Sequence, residues 1–244
     1  MSLIDAHCHL ANLAETHNVK LLIDEAKDMG INKFISCALT QRELDWQQRN
    51  PIPGVQWLAG IHPNFPECDL ELGQIEAALK TGQLIAVGEI GLDRANPDLS
   101  SQLLNLETQL MLAAEFQRPA VLHIIGHQSQ SYEILKRYPL RYQVYGYAGS
   151  IEGFQLLSNL NSWFTISSRI LKDDKRDLLY AILRSRRFMF ETDITQYYVK
   201  ENEANPLLRL LAVFDKTLQC SNFSESELLD IQEESAHELF GALL

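Results

Sequence analysis

The N-terminal stretch LIDAHCHLANL carries Asp5, His7 and His9 at alternate positions. Side chains two apart on a β-strand share a face. His7 and His9 therefore send two imidazoles the same way, and both rings can reach one ion. Similar residues recur where later apolar runs end: His62, then Glu89 and Asp93, then His123, then Glu191 and Asp193. A charge inside an apolar sheet is costly unless it is paired or bound to a metal, so each placement needs a chemical reason. Imidazole mixed with carboxylate is a donor set for Zn²⁺, Mn²⁺, Mg²⁺ or Fe²⁺. The residues leave open which ion, how many ions and what reaction.

Such a set needs a scaffold that gathers strand ends on one face. Apolar strand-like runs alternate with amphipathic helical patterns. Strands are expected over 2–9, 31–39, 55–63, 84–93, 119–125, 142–149, 162–168 and 187–193. Helices are expected over 17–30, 41–50, 69–82, 99–118, 129–138, 150–160, 175–185 and 205–218, with a closing amphipathic segment over 224–244. Most strands are apolar nearly throughout, the mark of a parallel sheet buried on both faces. Eight strand–helix units in about 250 residues predict an α/β fold, a (β/α)8 TIM barrel, as one domain over 1–244. The alternative is an open doubly wound sheet. No glycine-rich nucleotide fingerprint follows the first strand, which weighs against it. In a barrel the C-terminal strand ends form the active face, and the polar residues fall there.

Charge narrows the partners. The 244 residues carry 21 Lys and Arg against 32 Asp and Glu, a net charge of −11. An acidic surface disfavours a passive nucleic-acid binder, because affinity for phosphate comes mainly from Lys and Arg. It weighs less against an enzyme whose bound cations meet a phosphate locally. No apolar run approaches the roughly 20 residues of a membrane span, and no signal-peptide pattern opens the chain. A cytoplasmic protein with no membrane partner is expected. Cys8, Cys37, Cys68 and Cys220 are scattered, so free thiols are expected. Trp46, Trp57 and Trp163 are expected to pack rather than stack on bases.

The motifs resemble those of the TatD-type metal-dependent deoxyribonucleases, within the wider metal-dependent hydrolase barrels. DAHCHL is similar to the opening D-x-H-x-H-L, GIHP to G-x-H-P, and AVGEIGLD matches almost verbatim. QLLNLETQLMLA, PAVLH, FETD and SAHELFG extend the likeness nearly to the end of the chain. The resemblance implies that His7, His9 and Asp193 bind one divalent metal. It implies that Glu89 bridges two ions if two are bound, and that His123 binds the second. It implies hydrolysis of DNA phosphodiester bonds, typically from a strand end, by a metal-activated water. Glu89 and Asp193 are then the catalytic carboxylates, with Asp193 as general base or water-orienting group. One or two ions (Mg, Mn or Zn) are the expected cofactor and DNA the expected substrate, contacted by His62 and Glu191.

Four motifs depart from the pattern. The family's second metal also uses a His after strand six, in H-x-F-S-G, and YGYAGS puts Tyr145 there, with Tyr147 and Ala148 following. The L-H-x-R motif has Ile125 where an Arg suits phosphate. Thr195 replaces the proline of E-T-D-x-P, and Ser235 replaces the closing Asn. A phenol with a pKa of about 10 is a poor ligand at neutral pH. Tyr145 as a phenolate, and His127 just past strand five, are the candidate stand-ins on the substrate side. Two further readings stay open. One is a barrel hydrolase acting on a non-phosphate ester, lactone or amide. The other is a degenerate, non-catalytic subunit. No partner protein is visible in the sequence.

Overall fold

A computed structural model describes residues 2–241. Eight parallel strands close into a barrel in chain order: β1 Leu3–Cys8, β2 Ile31–Ala38, β3 Val55–Ala59, β4 Leu84–Asp93, β5 Ala120–Ile125, β6 Tyr142–Val144, β7 Ser162–Ile166 and β8 Phe188–Phe190. Asp5 pairs with Phe190 where β8 returns to β1. The helices are α1 Leu10–Leu13, α2 Val19–Asp28, α3 Gln41–Arg49, α4 Leu72–Lys80, α5 Leu99–Glu115, α6 Gln128–Leu135, α7 Ile151–Leu157, α8 Arg176–Ser185, α9 Arg209–Cys220 and α10 Glu225–Phe240. This is the expected (β/α)8 TIM barrel, not the open sheet. Residues 242–244 of the expected closing segment lie outside the described residues.

The local chemistry explains these elements. In α2, Val19, Leu22, Ile23 and Ala26 form the buried stripe, and the Asn18 side chain caps the start by accepting from Leu21 N. Ser224 and Glu227 make a reciprocal capping box at the head of α10. Inside the barrel, Ile4, Ile35, Leu58, Val121, Trp163 and Met189 belong to one buried cluster. Leu239 and Phe240 of α10 pack onto that cluster, and Gln232 accepts from Ile4 N. α10 thus closes the N-terminal end of the barrel and leaves the opposite end for chemistry. Cys8 and Cys37 are buried and unpaired, as expected for small core residues. Among the described residues, no helix is long and apolar enough to cross a membrane.

Three strands are shorter than their apolar runs suggest, and the difference matters. β3 stops at Ala59, β6 at Val144 and β8 at Phe190. His62, Tyr145, Glu191 and Asp193 therefore stand on loops just beyond the sheet. Asp193 has φ +53 and Gly146 φ +58, left-handed conformations that a strand does not hold. The helix expected over 205–218 begins as a single turn, Pro206–Leu208, before α9.

Gly91 fixes the approach of β4 to β5. Its φ is +153, and a Cβ there would lie 1.8 Å from His123 O. Only glycine lets Glu89 and His123 come from strands packed this tightly. Gly91→Ala is expected to cost about 3 kcal/mol or more. The readout is a fall in Tm of roughly 6–12 °C for a chain of this size. An unchanged Tm would contradict this strand pairing.

Candidate active site

His7 lies in β1 and His9 one residue beyond it, and both are buried. The pairing of β1 is irregular between Asp5 and Cys8, yet both rings point to the same carboxylate. His7 Nε2 and His9 Nε2 each lie 3.1 Å from Glu89 Oε1. Asp193 Oδ1 joins them at 3.8 Å from His7 Nε2 and 3.5 Å from His9 Nε2. The loop carrying Asp193 is tied to β1 through its backbone: Asp193 N donates to His7 O at 2.9 Å, and His9 N donates to Ile194 O at 3.0 Å. Asp5 holds the same loop, accepting from Thr192 N at 3.0 Å and Thr192 Oγ1 at 2.6 Å. Burial pushes the Asp5 carboxyl up to about 7, against those hydrogen bonds. Asp5 is thus a positioning residue rather than part of the donor ring.

Burial alone would raise the Glu89 carboxyl, but the imidazoles of His7 and His9 outweigh it and hold it well below the usual range. Burial likewise opposes ionisation of Asp193, and the hydrogen bond from His9 reverses the balance and lowers it. Burial disfavours the His9 cation, yet Glu89 and Asp193 raise it well above an ordinary imidazole. These anions and imidazoles face one small space. Donors about 2.1 Å from a tetrahedral ion stand about 3.4 Å apart. The separations here bracket that value, so the donor set fits a divalent cation in both chemistry and spacing.

A second group meets the other oxygen of Glu89. His62 Nε2 lies 3.4 Å and His123 Nδ1 3.9 Å from Glu89 Oε2, and the two imidazole nitrogens are 3.2 Å apart. Asp93 Oδ2 engages His123 Nε2 at 2.9 Å, which turns Nδ1 toward Glu89. That contact also holds the Asp93 carboxyl at about 2. His7, His9 and Glu89 form one set that could hold an ion, and His62, Glu89 and His123 form another.

This donor arrangement sits in a chain whose residues 4–241 match the family model of TatD-related DNases. The chain belongs to the TatD family. A metal-dependent hydrolase of Haemophilus influenzae, described as uncharacterized, is 31% identical over 169 residues; the match spans 62% of this chain and 64% of that relative. The Escherichia coli metal-dependent hydrolase YjjV, also uncharacterized, is 26% identical over 99% of this chain and 94% of its own length. The crystal structure of YjjV superposes with a TM-score of 0.86 at 24% identity, covering 98% of both chains. A protein named 3'-5' ssDNA/RNA exonuclease TatD, from Edwardsiella piscicida, is 22% identical over 98% of this chain and 99% of its own.

Tyr145, which the family resemblance sets where a strand-six His was expected, lies against both donor groups. Its hydroxyl lies 2.6 Å from His123 Nδ1 and donates to Glu89 Oε2, and its ring stacks on His7 at 3.9 Å. Burial, reinforced by Glu89, pushes the phenol well above its ordinary value. The Tyr145 hydroxyl thus stands between His123 and Glu89 as a hydrogen-bonding group. His62, which the strand-end pattern put among the possible ligands and the family resemblance gave to substrate, stands within the second donor group.

Two expected contacts are placed elsewhere. Glu191 is fully buried, and neither of its oxygens finds a hydrogen-bonding partner. Burial pushes its carboxyl well above the usual range, with the Asp193 charge adding to this. It lies behind the site and does not line the cavity, so a direct substrate contact is corrected. His127 occupies the N-cap position of α6 with φ +55, makes no side-chain capping bond and joins neither donor group.

Sequence reading missed Arg169, just past β7. Its Nη2 donates to Asp193 Oδ2 at 2.6 Å, and it lines a cavity of about 340 Å³ above the two groups. Ile125 and Arg169 line the same cavity from the ends of β5 and β7, two strands apart in the barrel. Arg169 stands at a strand end like the other site residues, and that placement was the signal available.

Proposed function

We propose that this chain is a single-domain, cytoplasmic TatD-type nuclease that hydrolyses DNA phosphodiester bonds from a strand end. The observation that carries the reading is the pairing of an intact His7, His9, Glu89 and Asp193 donor set with Arg169 at the mouth of the same cavity. The relative named as an exonuclease supports it. His7, His9, Glu89 and Asp193 would hold one divalent ion, and Glu89, His62 and His123 would hold a second.

A bound ion there would supply Lewis acidity to a phosphoryl oxygen and acidify the attacking water. The protein's own groups do the rest. Asp193 receives the proton of the attacking water. Its lowered carboxyl is ionised across the neutral range and stays so beside Arg169. The guanidinium has five donors and uses one on Asp193, leaving others for non-bridging phosphate oxygens. Asp93 keeps His123 turned inward, and Tyr145 anchors Glu89 Oε2 through its hydroxyl. Burial of the whole set keeps these charges strong by limiting bulk water.

A second reading, a non-phosphate ester or amide hydrolase, is favoured by Ile125, an apolar residue 42% exposed on the cavity wall. One experiment separates the two. Ions per chain are counted in the purified protein, and nucleotide release from single-stranded DNA is followed with and without chelator. Chelation is expected to abolish release, and added Mn²⁺ or Mg²⁺ to restore it. Release that survives complete metal removal would refute the metal-dependent mechanism. Turnover of a simple carboxylic ester with no nucleotide release would favour the second reading.

A further inference from the structure

We propose that the outer wall of the cavity is a stacking subsite for an unpaired nucleobase, built by Tyr197 and Tyr198 with Ile125 and Phe65 beside them. This rests on the nuclease reading above and specifies what the site grips. Large apolar side chains exposed at the surface are few among the described residues. Three of them, Tyr197 at 61%, Tyr198 at 58% and Ile125 at 42%, line this one cavity. The others, Leu21, Met29, Leu104 and Met111, lie on or at the ends of outer helices. Apolar surface gathered at the mouth of a polar site marks a binding face.

The two tyrosines stand in the short turn Gln196–Tyr198, on the loop that carries Asp193. That loop is braced from outside. Tyr197 Oη donates to Glu67 Oε2 at 3.3 Å, and Arg209 donates to Tyr198 O at 2.8 Å. Arg209 holds the Tyr198 backbone and Glu67 holds the Tyr197 hydroxyl while both rings stay exposed, so little ordering is needed when a ligand arrives. Arg169 provides the charge for a phosphate on one flank, and the rings provide a face for the attached base on the other.

Charge makes this division of labour necessary. A chain of net charge −11 gains little from general attraction to phosphate. Stacking must then carry a larger share of binding, and it accepts every base because every base has a π-face. In a duplex those faces are covered by neighbouring bases. The subsite therefore selects a single-stranded end.

The test compares the wild-type chain, the double variant Tyr197→Leu/Tyr198→Leu and the double variant Tyr197→Phe/Tyr198→Phe. Steady-state release of the terminal nucleotide is measured on a short single-stranded DNA, and on the same DNA with an abasic terminal residue. The leucine variant is expected to raise KM about tenfold or more on the normal end, with kcat moving less than KM. The phenylalanine variant keeps both rings and loses only the long, exposed Glu67 contact, so its KM should stay within about threefold of wild type. On the abasic end the leucine and wild-type chains should differ by no more than about twofold, because no base remains to stack. An unchanged KM in the leucine variant overturns the subsite. So does an equal rise on both substrates, which would mark a structural role. If the wild-type chain releases no nucleotide from any oligonucleotide, the nuclease reading fails and the subsite falls with it. Release by the wild type with no effect of the leucines removes the subsite alone.

Discussion

Glu89→Gln is expected to lower kcat by about a thousandfold or more, the loss that several kcal/mol of Lewis-acid stabilisation represents. It should also cut the metal content of the purified chain. Glu89 is the one residue common to both donor groups. Its Oε1 serves His7 and His9 at 3.1 Å each, while its Oε2 serves His62 at 3.4 Å. Glutamine keeps the shape but loses the charge, and it turns one oxygen into an NH₂ that offers nothing to a cation. Whichever way the amide is turned, one group loses its carboxylate oxygen. Glu89→Asp keeps the charge on a side chain one methylene shorter, so it can serve one group better than both. Its metal content should fall between those of wild type and the glutamine variant. Metal analysis alongside nucleotide release reads both effects, with far-ultraviolet circular dichroism as the check on folding. Wild-type metal content and turnover in Glu89→Gln would remove Glu89 from the centre of the mechanism.

Several parts of this site were legible in the sequence because they rest on local rules. The alternation of His7 and His9 follows from the two-residue period of a strand, and the two rings do converge on one carboxylate. The barrel was legible because each strand is apolar along most of its length and each helix has one apolar stripe. What could not be read locally depends on closure of the ring. His62 and His123 are 61 residues apart and meet only because β3, β4 and β5 are neighbours. Arg169 carried no signal in the sequence beyond its place after strand seven, because its meaning comes from Asp193 on the adjacent strand's loop. Glu191 looked like a companion to Asp193, since both stand in one short motif. The left-handed turn at Asp193 separates them, sending Asp193 to the histidines while Glu191 stays buried without a partner. Tyr145 was legible as a substitution but not as a donor, because its hydroxyl contacts come from β4 and β5.

Asp193→Asn is expected to lower kcat by about a thousandfold, within the 10²–10⁴ range of general-base losses, and to leave KM less affected. Asparagine can still accept from Arg169, and the backbone bonds to His7 and His9 that set the loop are untouched. It cannot take a proton. Two roles for Asp193 then give different signatures. If it serves mainly as a donor to a cation, the loss should track metal content, and excess Mn²⁺ should restore much of the rate. If it accepts the proton of the attacking water, saturating metal leaves the defect in place. Raising the pH then recovers part of the rate, because hydroxide needs no base. The wild-type chain should show no comparable gain, since its Asp193 carboxyl is held below the ordinary range and is already ionised throughout the neutral region. The two oxygens face different tasks: Oδ1, 3.5 Å from His9 and 3.8 Å from His7, has the spacing of an ion donor, while Oδ2 faces Arg169 at the cavity, so the Mn²⁺ and pH responses together decide between the two roles. Full recovery of the asparagine variant by Mn²⁺ alone would assign Asp193 to metal binding and leave the proton to another acceptor.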